Sequence, residues 1–236
     1  MSTETSRSKL NIWGYNTIAK QIFAPIILGV VVFLLAGTTD WAWGWVFNIV
    51  HALVWVGMTL VLIRTNPDLL NARGRQAAGF KFWDFVLVSL YGMAWIGVVV
   101  VGALDYRYGW TGAFPAWLAS EGAMLMVAGF GIMTWAMVVN RNFETLVRVQ
   151  DDRGHEVITD GPYRYVRHPG YVGVIIAFFI GMPLLLNSVY AVIPAVIGGV
   201  VMVIRTGLED RALQKELPGY TDYAQETRYR LVPWLW

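Results

Sequence analysis

Two groups of residues in this 236-residue chain combine types and spacings that suit chemistry. The first is Gly161-Pro162-Tyr163-Arg164-Tyr165-Val166-Arg167-His168-Pro169-Gly170-Tyr171. Gly161-Pro162 is a turn signal, and His168, lying ahead of a proline, is held extended. Pro169 suits the first turn of a helix, where its missing N–H is no loss. The expected product is a helix N-terminus with free N–H groups, set among a histidine, arginines and tyrosines. Such an end accepts a carboxylate or phosphate, although a positively charged membrane anchor with interfacial aromatics has the same composition. The second group is Arg205 and Glu209, four residues apart and so on one face of a helix. Either Arg205 meets an anionic substrate while Glu209 takes hydrogen bonds from a polar ligand, or the two form a plain ion pair worth about 0.3–0.5 kcal/mol.

The elements that must position these groups are membrane helices. Hydrophobic residues make up 56% of the chain and charged residues 14%, against roughly 25% charged in an average soluble chain; the mean hydropathy is +0.50. Twelve tryptophans and eleven tyrosines fit the headgroup zone of a bilayer. Apolar runs long enough to span, or nearly so, cover residues 22–37, 43–63, 82–104, 116–139, 171–186 and 188–204. The first is marginal unless residues 19–21 extend it, and no small-residue cleavage site follows it, so it is expected to be a retained helix. Only Asn187 separates the last two, which predicts an antiparallel helical hairpin, bent by Pro183 and Pro194. The expectation is an all-α polytopic bundle of about six transmembrane helices. Residues 1–140 hold helices one to four; residues 141–236 hold a polar loop, the hairpin and a polar tail, in one integrated domain.

Charge placement orients the bundle. Arg107 is alone among the 18 lysines and arginines in falling on one side of a six-span topology; the other 17 lie in the N-terminal segment, the second and fourth loops, and the tail. Both termini are therefore expected in the cytoplasm, with the active site facing the same way.

The motifs together resemble the isoprenylcysteine carboxyl methyltransferase family. The resemblance is carried by residues 161–173, by Arg205 with Glu209-Asp210-Arg211-Ala212-Leu213, and by Leu217-Pro218-Gly219-Tyr220-Thr221-Asp222-Tyr223. Arg228-Tyr229-Arg230-Leu231-Val232-Pro233 extends it. Upstream, Arg64-Thr65-Asn66-Pro67-Asp68-Leu69-Leu70-Asn71-Ala72-Arg73-Gly74 resembles bacterial members, which implies an integral protein of a bacterial inner membrane. The resemblance implies S-adenosyl-L-methionine as cofactor. It is bound by Gln150, by His155, Glu156, Val157 and Ile158, by Tyr163, by His168, Pro169, Gly170 and Tyr171, and by Glu209. It also implies that Arg205 is the catalytic, substrate-binding arginine, and that the partner is a lipophilic or amphipathic methyl acceptor arriving through the lipid bilayer. A carboxylate acceptor needs no general base, whereas a thiol would need His168 or Tyr171.

Other chemistries lack their residues. The chain has no cysteine, hence no disulfide and no thiolate metal site. His51, His155 and His168 are too scattered for zinc, so no metal is expected, nor is nucleic acid. Gly129-Phe130-Gly131 lies in an apolar helix and not after a strand, unlike a nucleotide-binding turn. His51 is expected to be a satisfied core histidine and Glu121 a structural residue near the outer face. Two readings compete with methyl transfer: a sterol-reductase-like enzyme that binds NADPH, and a non-enzymatic membrane protein of the same fold.

Overall fold

The computed structural model describes residues 9–75, 79–112, 115–147 and 154–236. Among them there are helices and no strand. The chain forms α1 (Ile12–Ala36), α2 (Ala42–Thr65), α3 (Pro67–Gly74), α4 (Phe82–Tyr108) and α5 (Ala116–Val139). These are followed by α6 (Pro169–Leu185), α7 (Val192–Glu216) and the short α8 (Tyr220–Glu226). Five of them, α1, α2, α4, α5 and α7, are long and apolar enough to cross a membrane. Helix α6 has 17 residues, and at about 1.5 Å per residue it falls a little short of a hydrocarbon core of about 30 Å.

Helix α1 begins ten residues earlier than its apolar run. Asn11 caps it, accepting from the amides of Trp13 at 2.9 Å and Gly14 at 3.2 Å, and α3 braces its polar first turns. Thr17 Oγ1 donates to the Leu70 carbonyl at 2.9 Å, and a Cβ on Gly74 would lie 2.1 Å from the Trp13 carbonyl oxygen. Asn66 starts α3 by accepting from Leu69 N at 3.2 Å and ties it to the end of α5 by donating to the Met137 carbonyl at 2.7 Å. A proline at the first position of α3 completes the start.

The expected hairpin exists, and of its two prolines only Pro183 disturbs the winding of a helix. Its connection runs over residues 186–191, with Asn187 in the left-handed region at φ 61°, which asparagine tolerates better than most residues. Pro194 sits in the first turn of α7, where it costs little. In α6 a wide π-helical stretch, Ile175–Gly181, ends just before Pro183. A proline ring excludes the carbonyl four residues back, and the wider winding takes up that conflict.

Helices α5 and α6 meet backbone to backbone. A Cβ on Gly129 would lie 2.6 Å from both Ala177 N and Gly173 O, and one on Gly122 would lie 2.3 Å from Leu185 N. The outward faces stay apolar: Ile193, Val196, Ile197 and Val200 of α7 recur at helical spacing and are exposed, as expected of residues facing lipid. The polar ends gather on two opposite faces. On one, Lys81 Nζ reaches Glu216 at 2.8 Å, and α2, α4, α5, α6 and α7 converge. On the other, buried Asp105 accepts from Thr111 N at 2.7 Å and from the Ser188 hydroxyl, while Arg107 reaches the Leu35 carbonyl at 3.4 Å.

Glu121 is exposed on α5. His51 is a core residue, as expected, yet not a satisfied one: its Nδ1 is buried with no hydrogen-bond partner.

The glycine contact has a direct test. Gly129→Ala is expected to lower stability by about 1–3 kcal/mol, the usual cost of overpacking, because the atoms in the way are backbone. Gly131→Ala, with nothing within 4 Å of its Cβ, is expected to leave the melting temperature in the same detergent unchanged.

Candidate active site

The charge-rich face is organised by one carboxylate. Asp210, in the C-terminal half of α7, is fully buried. It accepts from Arg167 Nε at 2.6 Å and Nη2 at 3.0 Å, from Arg230 Nε at 2.8 Å, from Gln214 Nε2 at 2.8 Å and from the Tyr220 hydroxyl at 3.1 Å. His168 Nε2 lies 3.4 Å away. The remaining nitrogen of Arg167, Nη1, donates to the carbonyls of Thr227 at 2.8 Å and Arg228 at 2.9 Å. Burial alone would press the Arg167 pKa down; the hydrogen bonds and charge of Asp210 outweigh it and push it up. The amides of Arg167 and His168 donate to the carbonyls of Tyr229 and Arg230 at 2.9 and 3.0 Å. These first amides at the start of α6 are thus occupied by the chain's own tail.

Around this hub a cavity opens between the loop before α6, the start of α6, the middle of α7, and α8. Of the residues singled out above, His155, Glu156, Val157, Ile158, Tyr163, His168, Gly170, Tyr171 and Glu209 line it. Pro169 is buried at the first turn of α6 but is not in the wall, and Gln150 lies outside the described residues. Glu209 accepts from the Tyr171 hydroxyl, and His168 stacks on Tyr171 with ring centroids 5.6 Å apart. Tyr163 accepts from Asn140 Nδ2 at 3.0 Å, and its carbonyl takes the Tyr223 hydroxyl at 2.8 Å. Burial raises the pKa of Tyr163, Tyr220 and Tyr223, and Asp210 adds to the rise at Tyr220. All three stay neutral phenols at neutral pH. Glu156 is at the rim, 3.6 Å from Arg141 Nη2. Gly170 leaves room for Phe143, since a Cβ there would lie 2.3 Å from its ring. Carboxylates, aromatic faces and phenolic donors around one cavity fit a ligand that is cationic at one point, aromatic at another and rich in hydroxyls.

Arg205 is elsewhere. Its guanidinium does not pair with Glu209: it grips Asp84 of α4, Nε to Oδ1 at 2.7 Å and Nη2 to Oδ2 at 3.2 Å, and donates to the Thr145 carbonyl at 2.8 Å. It also lies over the Tyr171 ring, 4.9 Å from the centroid. Asp84 in turn accepts from Val147 N at 2.7 Å. Arg205 lines a second, mostly apolar cavity of about 230 Å³ between α2, α4, α5, α6 and α7. The two cavities share Phe143, Glu144 and Tyr171.

Sequence reasoning missed Asp84, Glu144, Phe143 and Asp210. Asp84 had a signal, as a lone acid at the start of an apolar run. Asp210 stood beside Glu209 inside the motif. Phe143 and Glu144 had none, since only the fold turns that loop inward.

Comparison with known proteins follows the same elements. Residues 122–215 match the isoprenylcysteine carboxyl methyltransferase family model. Protein-S-isoprenylcysteine O-methyltransferase B of Arabidopsis thaliana is 28% identical over 112 residues, 46% of this chain and 56% of that protein. Protein-S-isoprenylcysteine O-methyltransferase A of the same plant is 32% identical over 82 residues, 34% of this chain and 42% of that protein. The chain thus spans about half the length of the curated relatives it matches. The solved structure of a eukaryotic intramembrane Ras methyltransferase, an isoprenylcysteine carboxyl methyltransferase without a monobody, superposes with a TM-score of 0.51. It is 17% identical and covers 92% of this chain and 96% of its own. At that identity it establishes a shared fold.

Removing one partner of a buried ion pair costs about 3–5 kcal/mol. Asp210→Ala, which strands Arg167, is therefore expected to lower the melting temperature sharply. Arg230→Ala should cost far less, about 1 kcal/mol, because Asp210 keeps Arg167 and the Arg230 side chain is 27% exposed. Equal losses in thermal unfolding would contradict the hub.

Proposed function

We propose that this chain, which shares the fold of the isoprenylcysteine carboxyl methyltransferases and matches their family across residues 122–215, is a membrane-embedded methyltransferase. Its acceptor is an apolar or amphipathic molecule that arrives through the bilayer. The observation that carries the reading is the shared wall of Phe143, Glu144 and Tyr171, which separates a polar cavity from an apolar one. A water-soluble donor and a lipid-soluble acceptor can approach that wall from their own solvents. The donor is S-adenosyl-L-methionine, which supplies a methyl already activated on a sulfonium. The protein's work is then alignment and exclusion of water.

In this reading Glu209, His155, Glu156, Val157, Ile158, Tyr163, His168, Gly170 and Tyr171 hold the donor, together with Gln150. Pro169 acts indirectly by fixing the start of α6. Residues 141–236 build the donor side; helices from residues 1–140 build most of the acceptor side. Arg205 orients the acceptor. Two of its nitrogens are committed to Asp84 and the Thr145 carbonyl, which fix the planar head and leave Nη1 without a bond to any described residue. A carboxylate acceptor is favoured, because it is ionised at neutral pH and asks no base of the site, while buried phenols such as Tyr163 and Tyr220 hold their protons. The positively charged face lies in the cytoplasm of a bacterial cell, with the site open to it.

Glu209→Gln and His168→Ala are expected to weaken S-adenosyl-L-methionine binding by roughly tenfold to over a hundredfold, as loss of about 1.5–3 kcal/mol at a charged hydrogen bond implies. Glu209→Gln should melt near wild type, while His168→Ala, which also removes a buried ring beside Asp210, should fold with a lower melting temperature. Arg205→Lys keeps the charge but loses the planar fork, so turnover should fall while donor affinity holds. Wild-type donor affinity in both of the first two variants would remove the donor site, and full turnover in the third would remove the role of Arg205.

A further inference from the structure

The apolar cavity has on its wall an arginine that pairs with no described residue. Arg73, in the last turn of α3, lines the cavity of about 230 Å³ beside Arg205 and Tyr171. It also lines a neighbouring cavity of about 270 Å³ along α1. The two adjoin at Trp55, Arg73, Trp95 and Thr145, a paired chamber with Arg73 on the shared wall. Arg73 Nη1 is buried with no hydrogen-bond partner, and so are Trp55 Nε1, Trp95 Nε1 and His51 Nδ1, whose side chains line the same chamber. Orphaned polar atoms are rare in native structures, and each asks for an explanation. Four around one apolar space ask for a common one.

Arg73 cannot easily withdraw. Gly74 beside it is wedged against the Trp13 carbonyl, Thr17 holds the middle of α3 at Leu70, and Asn66 caps its start. Nor do neighbouring acids neutralise it. Asp84 is spent on Arg205, and Glu144, on the same cavity wall, offsets only part of the cost of burying Arg73. Burial presses the Arg73 pKa below the ordinary arginine value, against partial offsets from Tyr91 and Glu144; a guanidinium stays charged nonetheless. A buried charge without a partner costs several kcal/mol, and that cost is recovered where a ligand brings the opposite charge.

We infer that Arg73 is the anion anchor of this chamber, holding the carboxylate of a lipophilic acid whose hydrocarbon part lies against Trp55, Trp95 and Phe178. The assignment rests on the methyl-transfer reading for what happens to that acid, but not for its binding. Arg205 and Asp84 form a neutral pair that orients the head group; Arg73 supplies the net positive charge that makes the chamber prefer an anion. The indole N–H groups and His51 suit further oxygen atoms on the same molecule, such as an amide next to the acid. Lys20 is exposed where the chamber meets α1, so the second positive charge on its lining has the same sign.

The test uses full-length protein in lipid nanodiscs and two probes that differ at one group, N-acetyl-S-farnesylcysteine and its carboxamide. Affinities are read from quenching of tryptophan fluorescence. Wild type is expected to bind the carboxylate at least about tenfold more tightly than the amide, the scale of one charge-assisted bidentate contact. Arg73→Gln should bind the two alike, with S-adenosyl-L-methionine affinity unchanged. Absence of a carboxylate preference in wild type, or its survival in Arg73→Gln, overturns the assignment. If Arg73→Gln does not fold, Arg73→Lys, which keeps the charge, must still prefer the carboxylate; equal affinities there also overturn it. Donor binding is scored separately. A wild type that ignores S-adenosyl-L-methionine yet prefers the carboxylate would sink methyl transfer and support Arg73.

Discussion

A carboxylate with no access to water has to be surrounded by donors, and at Asp210 those donors come from everywhere the site is built. Arg167 and His168 bring the start of α6, Gln214 the next turn of α7, Tyr220 the start of α8, and Arg230 the tail. Taking such a group out of water is costly unless its hydrogen bonds are complete, so none of these segments can move away without exposing the others to that cost. The tail then has no freedom to dangle. Its backbone carbonyls occupy the amides of Arg167 and His168, and the chain closes on itself through Trp236, whose carbonyl accepts from Arg230 N at 2.9 Å. The polar cavity lies beside this knot, with Arg167, His168 and Tyr220 in its wall.

Asp84 does the same for the apolar side. It reaches from the first turn of α4, where the helix dipole favours a negative charge, to Arg205 on α7 and to the backbone of the loop at Val147. Two buried acids on two helices thus fix two arginines. One arginine borders the polar cavity and the other the apolar one. Among the described residues Arg73 has no such partner, and the contrast singles it out: Arg167 is bonded at every nitrogen, Arg205 at two, and the buried Nη1 of Arg73 is left without a bond.

Much of the fold was legible because bilayer physics constrains it strongly. Helix α5 has the bounds its apolar run predicts. Helix α1 was misjudged in length because its first turns are polar and depend on α3, and α3 depends on contacts some 50 residues away, such as Thr17 with Leu70. Within the site, the motif residues gather around one cavity since local turn chemistry at Pro162 and Pro169 sets them there. The partner of Arg205 was not legible: Glu209 is its neighbour by helical spacing, but Asp84, 121 positions away, gives the better planar match. Orphaned atoms such as Arg73 Nη1 and His51 Nδ1 leave no trace in sequence at all, because a missing partner is a property of packing.

The account stands or falls on which cofactor the polar cavity takes. Calorimetric titration of the detergent-solubilised wild-type protein with S-adenosyl-L-methionine, and separately with NADPH, addresses that directly. Saturable heat with S-adenosyl-L-methionine and none with NADPH is the predicted result. Saturable binding of NADPH without S-adenosyl-L-methionine would contradict it and point to hydride transfer; no binding of either would leave a membrane protein that has kept the fold without the chemistry.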